Sequence, residues 1–354
     1  MALDQASSPL DTNRKTTIFP CMLPWFDNGK FPLYLAPMAG FTDIGFRTLC
    51  KEKGADVVVS EFVLADAILR GDHKVWNSIE FTEAQRPMGV QIFGSEPEVI
   101  AEAGKMIVDR LNPNFIDLNF GCPAKKVTCK NAGSSLLRDL STLGRICASL
   151  VKALPDCPVT AKIRIGWDSE SVVAKEAGRI IEDSGIQTLA IHGRTKTQGY
   201  KGDANWDVIN QVAETLSIPV IGNGSIASRY DIRGLRSRYG VSGLMIGRAA
   251  IGNPWLFEDL KSQLQTGQPG PQPTVDERLA FVLRYSEIMK AHYNHLGEDM
   301  ILGIMKGRLV SFVAGFSGAR KIRNRMSRLC SFEELEVLLK ESLDAVRFTE
   351  LARA

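Results

Sequence analysis

The chain has 354 residues, 44% of them hydrophobic and 23% charged, with 43 Lys and Arg against 40 Asp and Glu for a formal net charge of +3. That composition excludes a disordered or low-complexity chain, and the length suits one large domain with a smaller one beside it. No apolar stretch reaches the roughly 18 residues that cross a bilayer, and the seven cysteines are scattered without a Cys-x-x-Cys pair, which argues against a membrane span, a disulfide framework and a zinc site.

Residues 1–30 are polar, with Pro20 and Pro24, and read as an irregular N-terminal extension. They lack the basic start and apolar run of a secretory signal, so a soluble, cytoplasmic protein is expected. From residue 33 onward, short apolar runs recur at 33–37, 56–60, 88–93, 114–119, 159–165, 187–192, 218–223 and 241–247. Each reads as a buried parallel strand. Helically spaced apolar residues separate them, for example Val99, Ile100, Ala103, Met106, Ile107 and Leu111. Eight strand–helix units predict an α/β fold, a (β/α)8 TIM barrel over 31–264. The chemistry of such barrels lies at the C-terminal ends of the strands.

The Gly- and Pro-rich stretch 265–273 reads as a linker. A small helical domain is expected over 274–354, with helices at 275–296, 299–316 and 332–351. Thr274 with Glu277, and Ser331 with Glu334, form capping-box pairs for the first and last of these. Between Met300 and Phe332 the chain carries Lys306, Arg308, Arg320, Lys321, Arg323, Arg325 and Arg328 and no acid, which leaves the remainder net acidic. Lys321, Arg325 and Arg328 share a face if their segment is helical. Such a patch points to an anionic partner larger than a metabolite.

The strand ends carry the candidate chemistry. After strand four comes Asn119-Phe120-Gly121-Cys122-Pro123. Gly permits close backbone approach and Pro restricts the residue before it, which aims the Cys122 thiol over the barrel mouth as a general acid or latent nucleophile. Strand five ends in Lys162 and Arg164, two residues apart and therefore on one side of the strand. Two cations there call for an anionic or carbonyl-rich ligand, and they also pull the pKa of a nearby thiol down. Glycines in Gly222-Asn223-Gly224-Ser225 and Gly247-Arg248 follow strands seven and eight, the usual phosphate-binding corner of these barrels. Gln91, Asn119 and His192 can hydrogen-bond a planar heterocycle.

Together with Leu35-Ala36-Pro37-Met38-Ala39-Gly40, Ser60-Glu61 and Ile191-His192-Gly193-Arg194-Thr195, these stretches make the chain resemble the tRNA-dihydrouridine synthase family, in its bacterial B-type branch, over about residues 33–260. The resemblance implies an FMN site of Pro37, Met38, Ala39, Gln91, Lys162, His192, Asn223, Gly224, Ser225, Gly247 and Arg248. It implies flavin reduction by NADPH or NADH, hydride transfer to C6 of a tRNA uridine, and protonation of C5 by Cys122. Asn119, Arg164, Arg194 and Tyr200 would hold the base, and Lys306, Arg320, Lys321, Arg323 and Arg325 the tRNA. Ser225 stands where the family usually has Asp. No metal is expected, and the protein is expected to act as a monomer. Two alternatives stay open on the residues alone: a flavin barrel acting on a free pyrimidine, and a non-catalytic RNA-binding relative.

Overall fold

The computed structural model describes residues 23–227, 231–314 and 318–351. Residues 1–22 of the expected extension, the end of the helix expected over 299–316, and residues 352–354 lie outside them.

Eight parallel strands close into a barrel: β1 (Leu33–Leu35), β2 (Val57–Val59), β3 (Met88–Phe93), β4 (Phe115–Phe120), β5 (Val159–Arg164), β6 (Thr188–His192), β7 (Val220–Asn223) and β8 (Gly243–Ile246). β8 pairs with β1 and completes the ring. The strands are buried almost throughout, as their near-continuous apolar runs require. The strand after β1 is broken. After β2 the chain leaves the ladder at Ser60 and Glu61 and rejoins β3 as the short piece Val63–Leu64. That break frees Glu61 to accept the N–H of Gly40 at 2.8 Å.

Register brings the polar strand residues together. Gln91 on β3 pairs with Asp117 on β4, Asp117 with Thr160 on β5, and Asn119 with Lys162. Arg164 pairs with His192 on β6, and His192 with Asn223 on β7. Alternate residues of these strands meet over the barrel mouth.

The N-terminal reading needs correction. Residues 24–29 form a 3-10 turn, Pro24–Gly29, and Leu23 and Trp25 are buried in a second apolar cluster with Tyr34, Val57, Phe115, Ala190 and Ile221. Trp25 donates from Nε1 to the Tyr34 hydroxyl at 2.5 Å and lies 5.5 Å from the Phe115 ring. Polar average composition masked a hydrophobic plug for the barrel interior.

Among the described residues four helices follow the barrel's last helix, Leu256–Thr266: Val275–His292, Glu298–Phe312, Ala319–Met326 and Phe332–Leu351. Residues 267–274 between them have no regular structure. The Thr274–Glu277 capping box forms in full. At the last helix only half of one forms: Ser331 Oγ accepts from Glu334 N, but the Glu334 carboxylate takes the N–H of Cys330 instead of that of Ser331.

Helix Val275–His292 packs on the barrel's first helix, Ile44–Glu52, where Gly45 leaves room for Tyr285; a Cβ there would meet the ring at 2.6 Å. The Tyr285 hydroxyl donates to Asp43 Oδ2 at 2.7 Å, and Phe312 lies among Phe46, Phe281 and Tyr285. Arg308 belongs to this junction and not to a solvent-facing basic patch. It is 9% exposed, with Nε 2.7 Å from Asp43 and Nη2 3.1 Å from Glu61. Arg328 lies past the end of the Ala319–Met326 helix, so it does not continue the face of Lys321 and Arg325.

Candidate active site

The C-terminal ends of the strands surround a cavity of about 1010 Å3. Pro37, Met38, Ala39, Gln91, Asn119, Cys122, Lys162, Arg164, His192, Arg194, Tyr200, Asn223, Gly224, Ser225, Gly247 and Arg248 all line it. Sixteen residues from seven strand ends therefore share one site, as the barrel topology demands.

The Cys122 loop is built by its neighbours. Asn119 Oδ1 accepts the backbone N–H of Gly121 (3.1 Å) and of Cys122 (2.9 Å). Ser134 donates its N–H and its hydroxyl to the Cys122 carbonyl, at 3.1 and 2.9 Å. Gly121 runs so near β5 that a Cβ would sit 3.3 Å from the Ile163 carbonyl carbon. With both its backbone groups held, Cys122 is half-buried at the cavity wall.

The thiol keeps its proton. Burial pushes its pKa above the ordinary value, while the Ala124 N–H and the charges of Arg164, Lys126 and Lys162 pull it down without prevailing. The pull of these cations on the Cys122 thiol is thus outweighed by desolvation.

Lys162 donates to Asn223 Oδ1 at 3.1 Å, and Asn223 Nδ2 donates to the Met245 carbonyl at 2.6 Å. Burial first, then the neighbouring Arg164, brings the Lys162 ammonium down to about 8. Arg164 spends Nε on the Gly121 carbonyl and Nη1 on those of Thr195 and Gly199. It ties the Cys122 loop to the loop after β6.

Arg194 is 4% exposed and holds the other side of that loop. Nη2 donates to Gly202 O (2.6 Å) and Ser225 Oγ (2.7 Å), Nε to Gly202 O, and Nη1 lies 3.2 Å from His192 Nε2. Arginine only donates, so Nε2 of His192 is the acceptor and Nδ1 carries the hydrogen. Burial, then Lys162, Arg164, Arg194 and Arg248, drives the imidazole pKa far down, so His192 is neutral.

Tyr200, 53% exposed, stands at the tip of the loop these arginines hold, with the Arg248 guanidinium 3.9 Å from its ring centre. Gly224 has φ +123°, and a Cβ there would meet Ala204 at 2.7 Å and His192 at 2.9 Å. Only glycine fits. Ser225, also in the left-handed region at φ +57°, accepts from Arg194 and from Ala204 N.

The family model for dihydrouridine synthase (Dus) matches residues 34–349. The chain belongs to that family. Members with similar sequences include tRNA-dihydrouridine synthase B of Pseudomonas aeruginosa, 40% identical over 84% of this chain and 88% of that protein. The one of Xanthomonas campestris pv. campestris is 43% identical over 73% and 77%, and the probable tRNA-dihydrouridine synthase of Rickettsia prowazekii is 38% identical over 82% and 87%. Among solved structures, TcOYE with pHBA superposes with TM-score 0.50 at 12% identity, covering 74% of this chain and 94% of that one. It shows the shared barrel alone.

The expected tRNA contacts of the C-terminal helices lie apart from the cavity. Arg320, Lys321 and Arg325 are exposed, and Lys306 and Arg323 half-buried. Arg325 pairs with Glu341 at 2.6 Å, and Arg323 donates to the Val313 carbonyl at 2.9 Å. Two buried groups that sequence reading gave no role, Asp117 and Thr160, lie beneath Gln91. Their signal was a polar residue on the Asn119 face of an otherwise apolar strand.

Proposed function

We propose that this chain reduces the C5–C6 bond of a uridine in tRNA to 5,6-dihydrouridine, with FMN as cofactor and NADPH or NADH as reductant. The observation that carries the reading is the Cys122 thiol held by its loop on the wall of a large cationic cavity, in a chain of this family. About 1010 Å3 is at the upper end of ligand sites, ~300–1,000 Å3, and leaves room for a base beside a cofactor.

The residues fit FMN. Its ring system carries carbonyl oxygens and ring nitrogens that accept hydrogen bonds, and Lys162 and the free amide N–H of Gln91 are donors. Its phosphate is anionic; Arg248 and the loops at Asn223, Gly224, Ser225 and Gly247 offer charge and backbone approach, with Gly247 leaving open the space a side chain would fill, no atom lying nearer than 3.8 Å to its Cβ position. Pro37, Met38 and Ala39 would hold the ring, and neutral His192 its polar rim. When bound, FMN would supply the hydride for C6.

The protein's own groups do the rest. Cys122 gives its proton to C5, so that one hydride and one proton saturate the bond, and water returns the thiolate to thiol. Asn119 and Nη2 of Arg164 stabilise charge on the uracil carbonyls. Arg194, already bonded through Nε, Nη1 and Nη2, acts on substrate through the loop it holds, and Tyr200 offers that loop's ring for stacking. Drawing the uridine out of folded tRNA costs a few kcal/mol. Residues 274–354 act as the tRNA-binding unit and offset that cost through Lys306, Arg320, Lys321, Arg323 and Arg325 on the phosphate backbone.

Unmodified tRNA incubated with the protein, FMN and NADPH should yield a uridine heavier by the mass of two hydrogens in nucleoside mass spectrometry. Reduced flavin that discharges into free uracil or orotate but never into tRNA would contradict the reading.

A further inference from the structure

Asp117 sits beneath the cavity, 3% exposed, and the reaction above assigns it nothing. Its two oxygens begin a directed chain of hydrogen bonds. Oδ1 accepts from Thr160 Oγ1 at 2.5 Å and Oδ2 from Gln91 Nε2 at 2.6 Å. Gln91 Oε1 accepts from Asn119 Nδ2 at 2.8 Å. Asn119 Oδ1 then accepts the N–H groups of Gly121 and Cys122.

A primary amide can face either way, but an ionised carboxylate has no hydrogen to give. Gln91 must turn its NH2 towards Asp117 and its carbonyl away. Asn119 must then turn its own NH2 towards that carbonyl, and the two loop N–H groups at the far end require the same orientation. Burial raises the Asp117 pKa, whereas Thr160, Gln91 and Lys162 favour its charged form.

We propose that Asp117 is a positioning residue that fixes the polarity of this relay, committing Gln91 and Asn119 to reading a ligand edge made of acceptors while aligning the Cys122 loop. The Asn119 carbonyl already carries two N–H groups, so only its second N–H remains for a ligand. Carbonyl oxygens and unprotonated ring nitrogens satisfy such a site; an edge of donors does not. The identity of that ligand rests on the flavin and uracil proposed above, but the polarity does not.

Reversing the relay tests it. Asn119→Asp alone puts a carboxylate at both ends of Gln91, one of which must oppose the Gln91 carbonyl. Adding Asp117→Asn lets the new amide donate to Gln91 Oε1 and Gln91 Nε2 donate to the new carboxylate, while the loop N–H groups still find an oxygen. In thermal melts of the ligand-free protein the double variant should therefore melt above Asn119→Asp, a coupling that two independent defects would not show. Asp117→Asn alone should weaken FMN binding about tenfold in a fluorescence titration, the size of one lost oriented hydrogen bond.

A double variant less stable than either single, or FMN binding by Asp117→Asn at the wild-type level, would overturn the proposal. If Asn119→Asp does not fold alone, a folded double variant supports the relay and an unfolded one overturns it. Failure of the wild type to bind FMN would remove the flavin reading and leave the melting comparison intact.

Discussion

At the barrel mouth two effects act on the Cys122 thiol in opposite directions, and burial outweighs the charges of Arg164, Lys126 and Lys162. With Cys21, Cys129 and Cys330 replaced by Ser, iodoacetamide should modify Cys122 with a pH midpoint above that of an ordinary cysteine thiol. A midpoint near 7 would mean that the cations dominate and the thiol cannot serve as an acid. His192 supplies a second pH test. Its folded pKa lies far below the ordinary 6.5, so below about pH 6.5 the unfolded chain binds a proton that the folded chain refuses. Stability must then fall as pH falls through that window. Urea midpoints at pH 7 and 5 should show a smaller acid loss in His192→Gln than in the wild type; equal losses would contradict a buried neutral imidazole. The residues of the site were legible because strand ends are marked in sequence by polar residues after apolar runs. Asp117 was not given a role, because its partners Gln91 and Thr160 are set by register between strands. Arg308 was misplaced because a charge count cannot see that Asp43 and Glu61 enclose it.

At the scale of elements, the eight strands and three of the four described helices after residue 274 could be read from periodicity, and the short helix Ala319–Met326 only as a conditional face of Lys321 and Arg325, whereas the plug at Pro24–Gly29 and the break after β2 could not. Both depend on what fills space across the barrel. Trp25→Ala should cost about 3–5 kcal/mol in chemical denaturation, as for other large buried rings; a loss under ~1 kcal/mol would mean the plug is dispensable. Arg308→Met should also cost about 3–5 kcal/mol, because it strands two carboxylates at a buried junction. Arg325→Ala breaks only the exposed pair with Glu341 and should cost ~0–1 kcal/mol. Equal losses in the two variants would put Arg308 in solvent after all. Glu61 gives the junction a further consequence: one of its oxygens meets Arg308 and the other the N–H of Gly40, next to Pro37, Met38 and Ala39.

For the molecule as a whole, the apolar core runs without interruption from the barrel into the C-terminal helices, so the cavity and the basic helix Ala319–Met326 are parts of one packed body. Arg320 and Lys321 are exposed on that helix, and replacing either by Ala should lower the slope of log K for tRNA against log salt by about one. An unchanged slope would place the RNA elsewhere. The central claim is that Cys122 supplies the proton while leaving the flavin chemistry to the rest of the site. Stopped-flow absorbance of FMN-loaded Cys122→Ala protein tests it most directly, first mixed with NADPH and then, once reduced, with unmodified tRNA. With Cys122 as the proton donor, flavin reduction should proceed at the wild-type rate and reoxidation by tRNA should slow at least about a hundredfold, the usual size of a lost general acid. Reoxidation by tRNA at the wild-type rate would contradict it.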